Sequence, residues 1–512
     1  MQTLKEGEES NMISATHITG VLLTVMLLVM VSWLSGRNVK DERSFTTGGT
    51  AGSWMVCGAF LTTLAGGQST VGTAQLAFSY GLSAWWFTLG AALGGVVLAL
   101  FYAGPLRRSV CSTLLEIVRK QYGRKVETVG SLLFLLGIFI SIVAQVLTSG
   151  AMIGSLFNMS MAWSLVVGAV LIMLFVLFGG IRSAGAGGII KLFLLYCGSV
   201  ATGIIVWHMA GGHSGMSEGL RSIYSSPTLL DINDLASAEE IHHRYGSIVS
   251  RGLMKDLGGA LSIILGVVST QTYAQCIWSG ATTAKARRGA LYCTFFIPII
   301  GAACTLVGIY MRGHYVTADE LAAMQRAGEA LPAGIGVIKD SSQAFPSFII
   351  NHLPAWFGGL MLGTLLINIL GCGSGLCLGG ATILVRDVLV NAHTRLRKGK
   401  QPISQLLQTR LSIVALLALG VVVAQTFSGS FINDLGFLSL GLRAVAIIFP
   451  LSFALWLPSR FSSRAVLLSM PIGTIAMLLA NFLSLPGGAV YYGLIISLLT
   501  ILITSHKNRT IH

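Results

Sequence analysis

Long apolar segments alternate with short polar connections along almost the whole chain. Each apolar segment approaches or exceeds the roughly 20 residues that a helix needs to cross a bilayer. The segment 354–391 is far longer than one span, so we expect it to tilt, bend or protrude into water. The pattern predicts thirteen membrane-spanning helices, near residues 16–35, 54–80, 82–104, 127–156, 160–180, 187–209, 253–279, 287–312, 354–391, 408–428, 432–457, 464–484 and 486–505.

The second segment contains an unusual run of small and polar residues, Thr62–Gln75, with the sequence TTLAGGQSTVGTAQ. Glycine destabilises a helix by about 1 kcal/mol relative to alanine. In hydrocarbon, an unwound stretch is tolerated only within protein or around a cavity. Small residues also line close contacts between membrane helices. The run alone therefore predicts either tight helix packing or a broken helix at a binding site.

A second run matches the first. Gly66–Gln75 reads GGQSTVGTAQ and Gly266–Gln275 reads GVVSTQTYAQ, with Gly, Ser, Thr, Ala and Gln at the same offsets. Paired interrupted helices in the two halves of a chain indicate an inverted-repeat transporter, with the binding site at the breaks. The match favours a binding site over simple packing.

Composition supports a membrane protein with many spans. Of the 512 residues, 54% are hydrophobic and only 10% are charged, and the mean hydropathy is +0.77. The net charge is +14, but the basic residues are dispersed among loops, which argues against nucleic-acid binding. The eight cysteines lie mostly in apolar segments without ligand-like spacing, so neither a disulfide framework nor a metal site is predicted.

Lysine and arginine concentrate in alternate loops, which predicts the orientation. The positive-inside rule predicts a protein of the cell membrane whose N-terminus lies outside the cell and whose C-terminus lies in the cytoplasm. The loops 210–252 and 313–353 would then be external. His242 and His243, beside two glutamates, are interpreted as part of a solvated polar loop. Thr113–Arg124 is typical of an amphipathic cytoplasmic helix that meets anionic headgroups.

Several blocks, in this order and spacing, resemble the sodium/solute symporter family, whose members carry proline, sugars and other small solutes. Each block is weakly specific, but together they cover most of residues 40–460. The blocks are Phe45–Tyr80, with the family's loop and first broken helix; Arg107–Gly123, similar to T-x-x-E followed by R-Y-G; Gly179–Arg182, similar to GG-[LI]-[RK]; Gln275–Gly289, with the run A-R-R-G; and Gly371–Val388, which aligns with S-T-A-D-S…S-R-D-I.

The resemblance implies an all-α polytopic membrane protein with an inverted five-plus-five helix core. Spans 2–6 and 7–11 would form the two repeats, and spans 2 and 7 would be the broken helices. The implied organisation is an N-terminal tail and peripheral span at 1–45, a first repeat at 46–209, an external loop at 210–252, a second repeat at 253–457 and two peripheral spans with a short tail at 458–512.

The chain departs from the family at the sodium site that the resemblance implies. The family's backbone carbonyls fall on Thr62 and Ala65, but its Ser-Thr pair falls on Gly371 and Cys372. Glycine offers no side-chain oxygen, and sulfur is a poor ligand for a hard cation. Asn368, one turn earlier, offers one oxygen.

A second departure lies in the sixth span. The family's Thr-Asp pair falls on Gly187 and Gly188, and Lys191 stands three residues further on. In one interpretation, Lys191 snorkels to the interface and sodium binds through other oxygens. In the other, its ammonium replaces sodium or shuttles a proton. The coupling ion is therefore sodium or a proton, and we hypothesise that sodium coupling is weak or absent.

Arg443 is an intramembrane charge near the middle of the eleventh span. Such a charge is costly in lipid, so it should face protein or water. Asp434 lies nine residues earlier, too far along the helix for an i,i+4 pair. An anionic substrate and a structural pairing each account for Arg443, and the structural pairing is favoured.

The predicted activity is secondary active transport of a small polar organic solute by alternating access. Enzyme motifs such as G-x-x-x-x-G-K-[ST], H-E-x-x-H and G-x-S-x-G are absent from the sequence. Alternatives are a channel, a non-transporting solute sensor, which the short tail disfavours, and a sodium-independent carrier. The solute is expected to contact the two breaks at Gly66, Gly67, Gln68, Ser69, Gly266, Ser269, Thr270 and Gln271.

Overall fold

Helices make up nearly all of the described chain. The computed structural model describes residues 14–36, 50–109, 111, 113–179, 186–385, 405–427 and 429–507. The helices of the first half are α1 Ala15–Gly36, α2 Ser53–Leu64, α3 Thr73–Tyr80, α4 Trp86–Val97, α5 Ala103–Arg108, α6 Leu114–Tyr122, α7 Arg124–Phe157, α8 Met161–Gly179 and α9 Ala186–Met209.

The second half repeats this pattern of long helices with short helices between them. Its helices are α10 Gly212–Ile223, α11 Pro227–Ile232, α12 Ala238–Gly246, α13 Leu253–Ser269, α14 Gln271–Ser279, α15 Thr283–His314, α16 Ala318–Arg326, α17 Ala344–His352, α18 Ala355–Ile383, α19 Gln405–Thr426, α20 Ile432–Trp456, α21 Ser463–Phe482 and α22 Ala489–Lys507.

The apolar segments predicted from the sequence form helices with closely similar bounds. Among the described residues, seven helices are long and apolar enough to cross a membrane, and up to nine if each of two bent pairs is one span. Four shorter apolar helices, including α2 and α8, fall below that length. The count of thirteen spans stays a prediction. The long ninth segment is helical to Ile383, and its continuation from residue 386, with the Arg386-Asp387 motif, lies outside the described residues.

Helices from both halves interleave in one core. Helix α13 packs against α4 and α20, and α7 packs against α8, α18 and α20. Helix α15 lies against α2, α3 and α4. The flanking helices lie at the edge, with α1 on α18 and α22 on α21. Each broken helix therefore packs against at least one helix of the opposite half.

The loops predicted to be long and polar contain regular structure. Residues 210–252 contain α10, α11 and α12, with His242 and His243 on α12. In the loop at 313–353, β1 (Tyr315–Thr317) pairs in parallel with β2 (Gly336–Ile338), and Val316 lies opposite Val337. The amphipathic helix predicted at Thr113–Arg124 is α6, and the Thr113 hydroxyl caps it by accepting a hydrogen bond from the Glu116 N–H, at 3.0 Å.

A buried ion pair joins this loop region to the first broken helix. Arg312, which is 1% exposed, donates through Nη1 to both carboxylate oxygens of Glu320, at 2.9 and 2.8 Å. Its Nε donates to the Tyr224 hydroxyl at 3.0 Å, and its guanidinium lies 5.1 Å from the centre of the Phe78 ring. Because Phe78 belongs to α3, the pair fixes the loops against the end of that helix.

Glu320 is ionised in this setting. Burial raises its pKa, but the charge of Arg312 and hydrogen bonds from Arg312, Thr317 and Asn233 outweigh burial, so the pKa lies below its ordinary value. A carboxyl group with a lowered folded-state pKa stabilises the fold above its unfolded-state pKa. That stability is lost as the pH falls through the folded-state value.

We predict that Glu320→Gln destabilises the protein by roughly 3 kcal/mol at neutral pH, because it leaves a buried guanidinium without its counter-charge. Thermal unfolding of the purified protein measures the loss, and acidification should destabilise the variant less than the parent. The matched control is Asp319→Asn, at an exposed position in the same helical turn. Equal effects of the two substitutions would contradict this role of the ion pair.

Candidate functional site

The first broken helix opens at the Gly-Gly pair. Helix α2 ends at Leu64, and Ala65 leaves the helical region with φ −81° and ψ 64°. The chain returns to helix through a π-helical turn at Gln68–Gly72, which continues into α3. The carbonyl oxygen of Gly66, freed by the break, accepts hydrogen bonds from the hydroxyls of Ser69 and Thr70, at 2.9 and 3.1 Å.

The second break is a single residue wide. Thr270 adopts an extended conformation, φ −101° and ψ 127°, between α13 and α14. The two helices meet at an angle of 50°. The breaks predicted from Gly66–Gln75 and Gly266–Gln275 are therefore both present in the structure, the first at Ala65 and the Gly-Gly pair and the second at Thr270.

One face of α7 lies along both breaks. An added Cβ on Gly67 would stand 2.3 Å from Thr148 Cγ2, and one on Gly66 would stand 3.2 Å from Gln145 Nε2. One turn below Gln145, the Ser141 hydroxyl accepts from Arg443 Nη2 at 2.9 Å. The sequence interpretation missed these α7 residues. Their spacing in an apolar span, four and then three residues, was the available signal, since it places them on one helical face.

The residues at the implied sodium site are engaged with one another. The Asn368 side-chain amide donates to the Ala65 carbonyl, and the Thr62 hydroxyl donates to the Gly58 carbonyl of its own helix, at 2.7 Å. Gln145 Nε2 donates to the Cys372 sulfur at 3.5 Å. Protein groups therefore already contact the Ala65 carbonyl and the Cys372 sulfur, two of the atoms that would face an ion.

This donor set does not fit a tight sodium site. A hard cation requires several converging oxygens. Gly371 supplies no side-chain oxygen, Cys372 supplies sulfur, and a protein amide already donates to the Ala65 carbonyl. Gly188 and Lys191 belong to α9, but their surroundings lie outside the described part of the structure, so the role of Lys191 stays a prediction.

The expected solute contacts at the first break are buried or half-buried. Gly67 packs closely on Thr148, while Ser69 is hydrogen-bonded within its own turn. The Gln68 side chain reaches α20, where its Nε2 would stand 3.1 Å from a Cβ added to Gly436. That Nε2 atom is buried and has no hydrogen-bond partner among the described residues, so the Gln68 side-chain N–H group can donate to another molecule.

The expected contacts at the second break divide into two kinds. Gly266 packs on Leu440, whose Cβ would stand 2.6 Å from an added Cβ, and Gln271 Oε1 accepts from the Leu114 N–H at 2.8 Å. Both residues thus have contacts with neighbouring helices. Ser269 and Thr270 lie at the break itself, and the Ser269 hydroxyl is buried without a partner.

Several buried polar atoms around the breaks have no hydrogen-bond partner within the described part of the chain. A buried polar atom without a hydrogen bond costs roughly 1–3 kcal/mol. Several such atoms in one region indicate a site that another molecule or water completes. Those on the helices that meet at the breaks are Gln68 Nε2, Gln145 Oε1, Ser269 Oγ, Asn368 Oδ1 and Asn433 Oδ1.

Arg443 reaches the second break from α20. It is 4% exposed, and it donates to the hydroxyls of Thr270 at 3.2 Å, Ser141 at 2.9 Å and Ser439 at 2.9 Å. Tyr273 lies within electrostatic range of the guanidinium. Within the described ranges, no carboxylate forms an ion pair with Arg443.

Asp434, the nearest acid along the chain, has another partner. Arg251 donates to Asp434 at 2.6 Å and to Asp256 at 2.8 Å. This ion pair joins the start of α13 to the start of α20. Asp434 is therefore the ion-pair partner of Arg251 and not of Arg443, and the two charged groups of α20 lie in separate environments.

Comparison with known proteins gives a consistent result. A model described as the sodium:solute symporter family matches residues 44–473. High affinity choline transporter 1 of Homo sapiens is 24% identical over 315 residues, which cover 57% of this chain and 50% of that protein. High-affinity choline transporter 1 of Drosophila melanogaster is 26% identical over 195 residues, which cover 36% and 31%. The chain thus spans about half the length of these relatives, or less.

Two solved structures share the fold. A substrate-bound, outward-open Na⁺-coupled sialic acid symporter superposes with a TM-score of 0.67 at 14% identity, covering 98% of this chain and 99% of its own. A transporter of the nucleobase–cation symport-1 family, closed around bromovinylhydantoin, gives a TM-score of 0.52 at 13% identity, covering 91% and 95%. At such identities the likeness establishes the architecture alone, an inverted five-plus-five repeat with discontinuous helices.

We predict that Gly67→Ala destabilises the protein by about 1–3 kcal/mol, because the new methyl group overlaps Thr148. Thermal unfolding measures the loss. Adding Thr148→Ala should recover part of it, since it removes the atom in closest contact. The control is Gly52→Ala, where nothing lies within 4 Å of an added Cβ. No recovery in the double variant would contradict the close approach of α7 to the break.

Proposed function

The chain belongs to the sodium:solute symporter family, and from this premise we propose that it is a secondary active transporter of a small polar organic solute. The family and the matched relatives are transporters and not enzymes. The apolar helices make the chain a multi-pass membrane protein. The single observation that carries the proposal is the convergence of two broken helices on a set of polar atoms without partners.

The breaks supply what a solute site needs. Unwound backbone offers N–H and C=O groups in fixed directions. The orphaned amide and hydroxyl groups of Gln68, Gln145 and Ser269 add donors and acceptors from three helices. A small solute with several hydrogen-bonding groups would satisfy them, and it would be released only when water could replace it.

Alternating access would move the broken helices relative to α7 and α18. The contacts that must change are those that join these groups across the breaks. They include the packing of Gly67 on Thr148 and the hydrogen bond of Asn368 to Ala65. Rocking of one bundle against the other would expose the site to each side in turn.

The altered ion site supports weak or absent coupling to sodium in this member of the family. Gly371 and Cys372 replace the hydroxyls that the family uses, and Asn368 engages the Ala65 carbonyl. Lys191, in α9, remains our proposed source of a replacement charge or of a coupled proton. The loop charges further support an orientation with the N-terminus outside and the C-terminus in the cytoplasm.

We expect the purified protein in liposomes to take up a small polar solute above the level of protein-free liposomes. A radiolabelled solute panel, loaded by counterflow, measures this exchange without assuming a driving ion. Gly67→Ala should lower the exchange rate, and Gly52→Ala should leave it unchanged. Solute binding without exchange would instead identify a sensor, and uptake that never saturates with solute concentration would identify a channel.

Sodium binding can be tested by substitutions that restore the missing oxygen ligands. We predict that Gly371→Ser combined with Cys372→Thr restores side-chain oxygens and makes the thermal stability rise with sodium, since a bound ligand stabilises the folded state. The parent protein should respond equally to sodium and potassium. Gly379→Ser, at an open position of the same helix, is the control. A strong response of the parent to sodium would overturn the proposal of weak coupling.

A further inference from the structure

Arg443 is a buried positive charge that no carboxylate of the described residues neutralises. Its hydrogen bonds go to three hydroxyls and to the backbone carbonyl of Ser439, at 3.2 Å. These neutral groups solvate the guanidinium but do not cancel its charge. A buried charge without a counter-charge is strongly unfavourable. The described surroundings of Arg443 therefore lack a negative group.

Two other arginines with buried side chains have a carboxylate as counter-charge. Arg312 is paired with Glu320, and Arg251 is paired with Asp256 and Asp434. Arg443 differs from both in having no carboxylate within the described part of the chain. Among the described residues, the buried arginines that hold elements together are therefore paired with carboxylates, and Arg443 is not.

The start of α14 adds a second positive element at the same place. Arg443 Nη1 donates to Thr270, the residue that precedes this nine-residue helix. The first N–H groups of a helix have no partner within the helix, and they carry a partial positive charge. The Ser269 hydroxyl, on a fully buried side chain next to Thr270 in the chain, has no hydrogen-bond partner among the described residues. The second break therefore combines a buried charge, a helix terminus and a hydroxyl group without a described partner.

We propose that Arg443, the start of α14 and Ser269 bind a carboxylate group of the transported solute. This inference rests on the proposed transport function and adds the chemical class of the solute. Arg443 provides the charge, the α14 N–H groups provide direction, and the Ser269 hydroxyl donates to a carboxylate oxygen. A solute whose only charge is positive would be repelled from this end of the site.

The rest of the solute would extend towards the first break. Ser141, which contacts Arg443, and Gln145, which lies beside Gly66, are one turn apart on α7. Residues with this spacing are about 5–6 Å apart. The free Gln145 Oε1 is an acceptor, so it would receive an N–H or O–H of the same molecule. The site therefore suits a small carboxylic acid that also carries hydrogen-bond donors.

The experiment compares matched ligands on the full-length purified protein. Small carboxylic acids are each paired with their uncharged primary amides, and amino and hydroxy acids are included with a choline control. Binding is measured by thermal shift and exchange by counterflow in liposomes. We expect the acids to bind and exchange, and their amides to bind at least about tenfold more weakly, because they lose a charged hydrogen bond.

Variants test the residues separately. Arg443→Lys should retain a preference for the acid over its amide, and Arg443→Gln should lose it. Ser269→Ala should weaken binding of the acid about fivefold or more through the loss of one donor. Ser262→Ala is its matched control, because this buried serine of the same helix bonds to the Gly258 carbonyl of its own turn. If Arg443→Gln fails to fold, the ligand pairs and the serine variants still decide the result.

Several results would overturn the inference. Exchange of a neutral or cationic solute with no preference for acids would refute the carboxylate site and leave the transport function intact. Stabilisation by chloride alone, measured against gluconate and dependent on Arg443, would assign the site to an inorganic anion. Acid binding that Ser269→Ala and Ser262→Ala weaken equally would remove Ser269 from the site. No exchange of any solute class would refute transport, while Arg443-dependent acid binding would still support the anion site.

Discussion

The structure depends on one constraint, which is that polar backbone freed inside a membrane must be satisfied by protein. Two helices are broken in the core, and neighbouring side chains reach each break. At the first break, Asn368 donates to the Ala65 carbonyl. At the second, the Thr270 carbonyl accepts from the Tyr273 N–H at 3.2 Å, and Arg443 donates to the Thr270 hydroxyl. A broken helix in lipid would be strongly unfavourable without such partners. The breaks therefore fix where α7, α18 and α20 must lie, and these helices in turn bring a line of polar groups into an apolar core.

Buried arginine side chains are also satisfied by protein groups, and these groups are of two kinds. Arg251 and Arg312 have carboxylate partners, and each joins separate parts of the chain beside the loops 210–252 and 313–353. A paired charge holds its neighbours in place, because removing either partner leaves the other buried alone. Arg443 has hydroxyl partners instead, at the second helix break. In the proposed transport cycle, a ligand would neutralise this charge on binding and expose it again on release.

The sequence predicted the helices and both breaks because their signals are local. Apolar length sets the spans, and glycine, serine and threonine within a span mark the unwound residues at Gly66 and Thr270. The contacts across the core were not predictable in this way. Arg443 and Ser141 are 302 positions apart in the chain, so no spacing rule links them, and the ion pair of Asp434 with Arg251 is equally remote. The loop helices α10 to α12 were missed because their polar composition is also that of solvated loops.

The departures from the family pattern and the position of Arg443 both agree with the proposed weak coupling to sodium. A sodium ion bound near Ala65 brings positive charge into the core together with oxygen ligands that favour it. In this chain Gly371 and Cys372 remove such oxygens, and Asn368 places an amide donor on the Ala65 carbonyl. Across the site, Arg443 supplies a fixed positive charge that needs no ion from solution. Because a carboxylate on the solute would neutralise this fixed charge, the loaded site would be neutral without sodium. The missing ion ligands and the buried arginine would then contribute to the same charge balance.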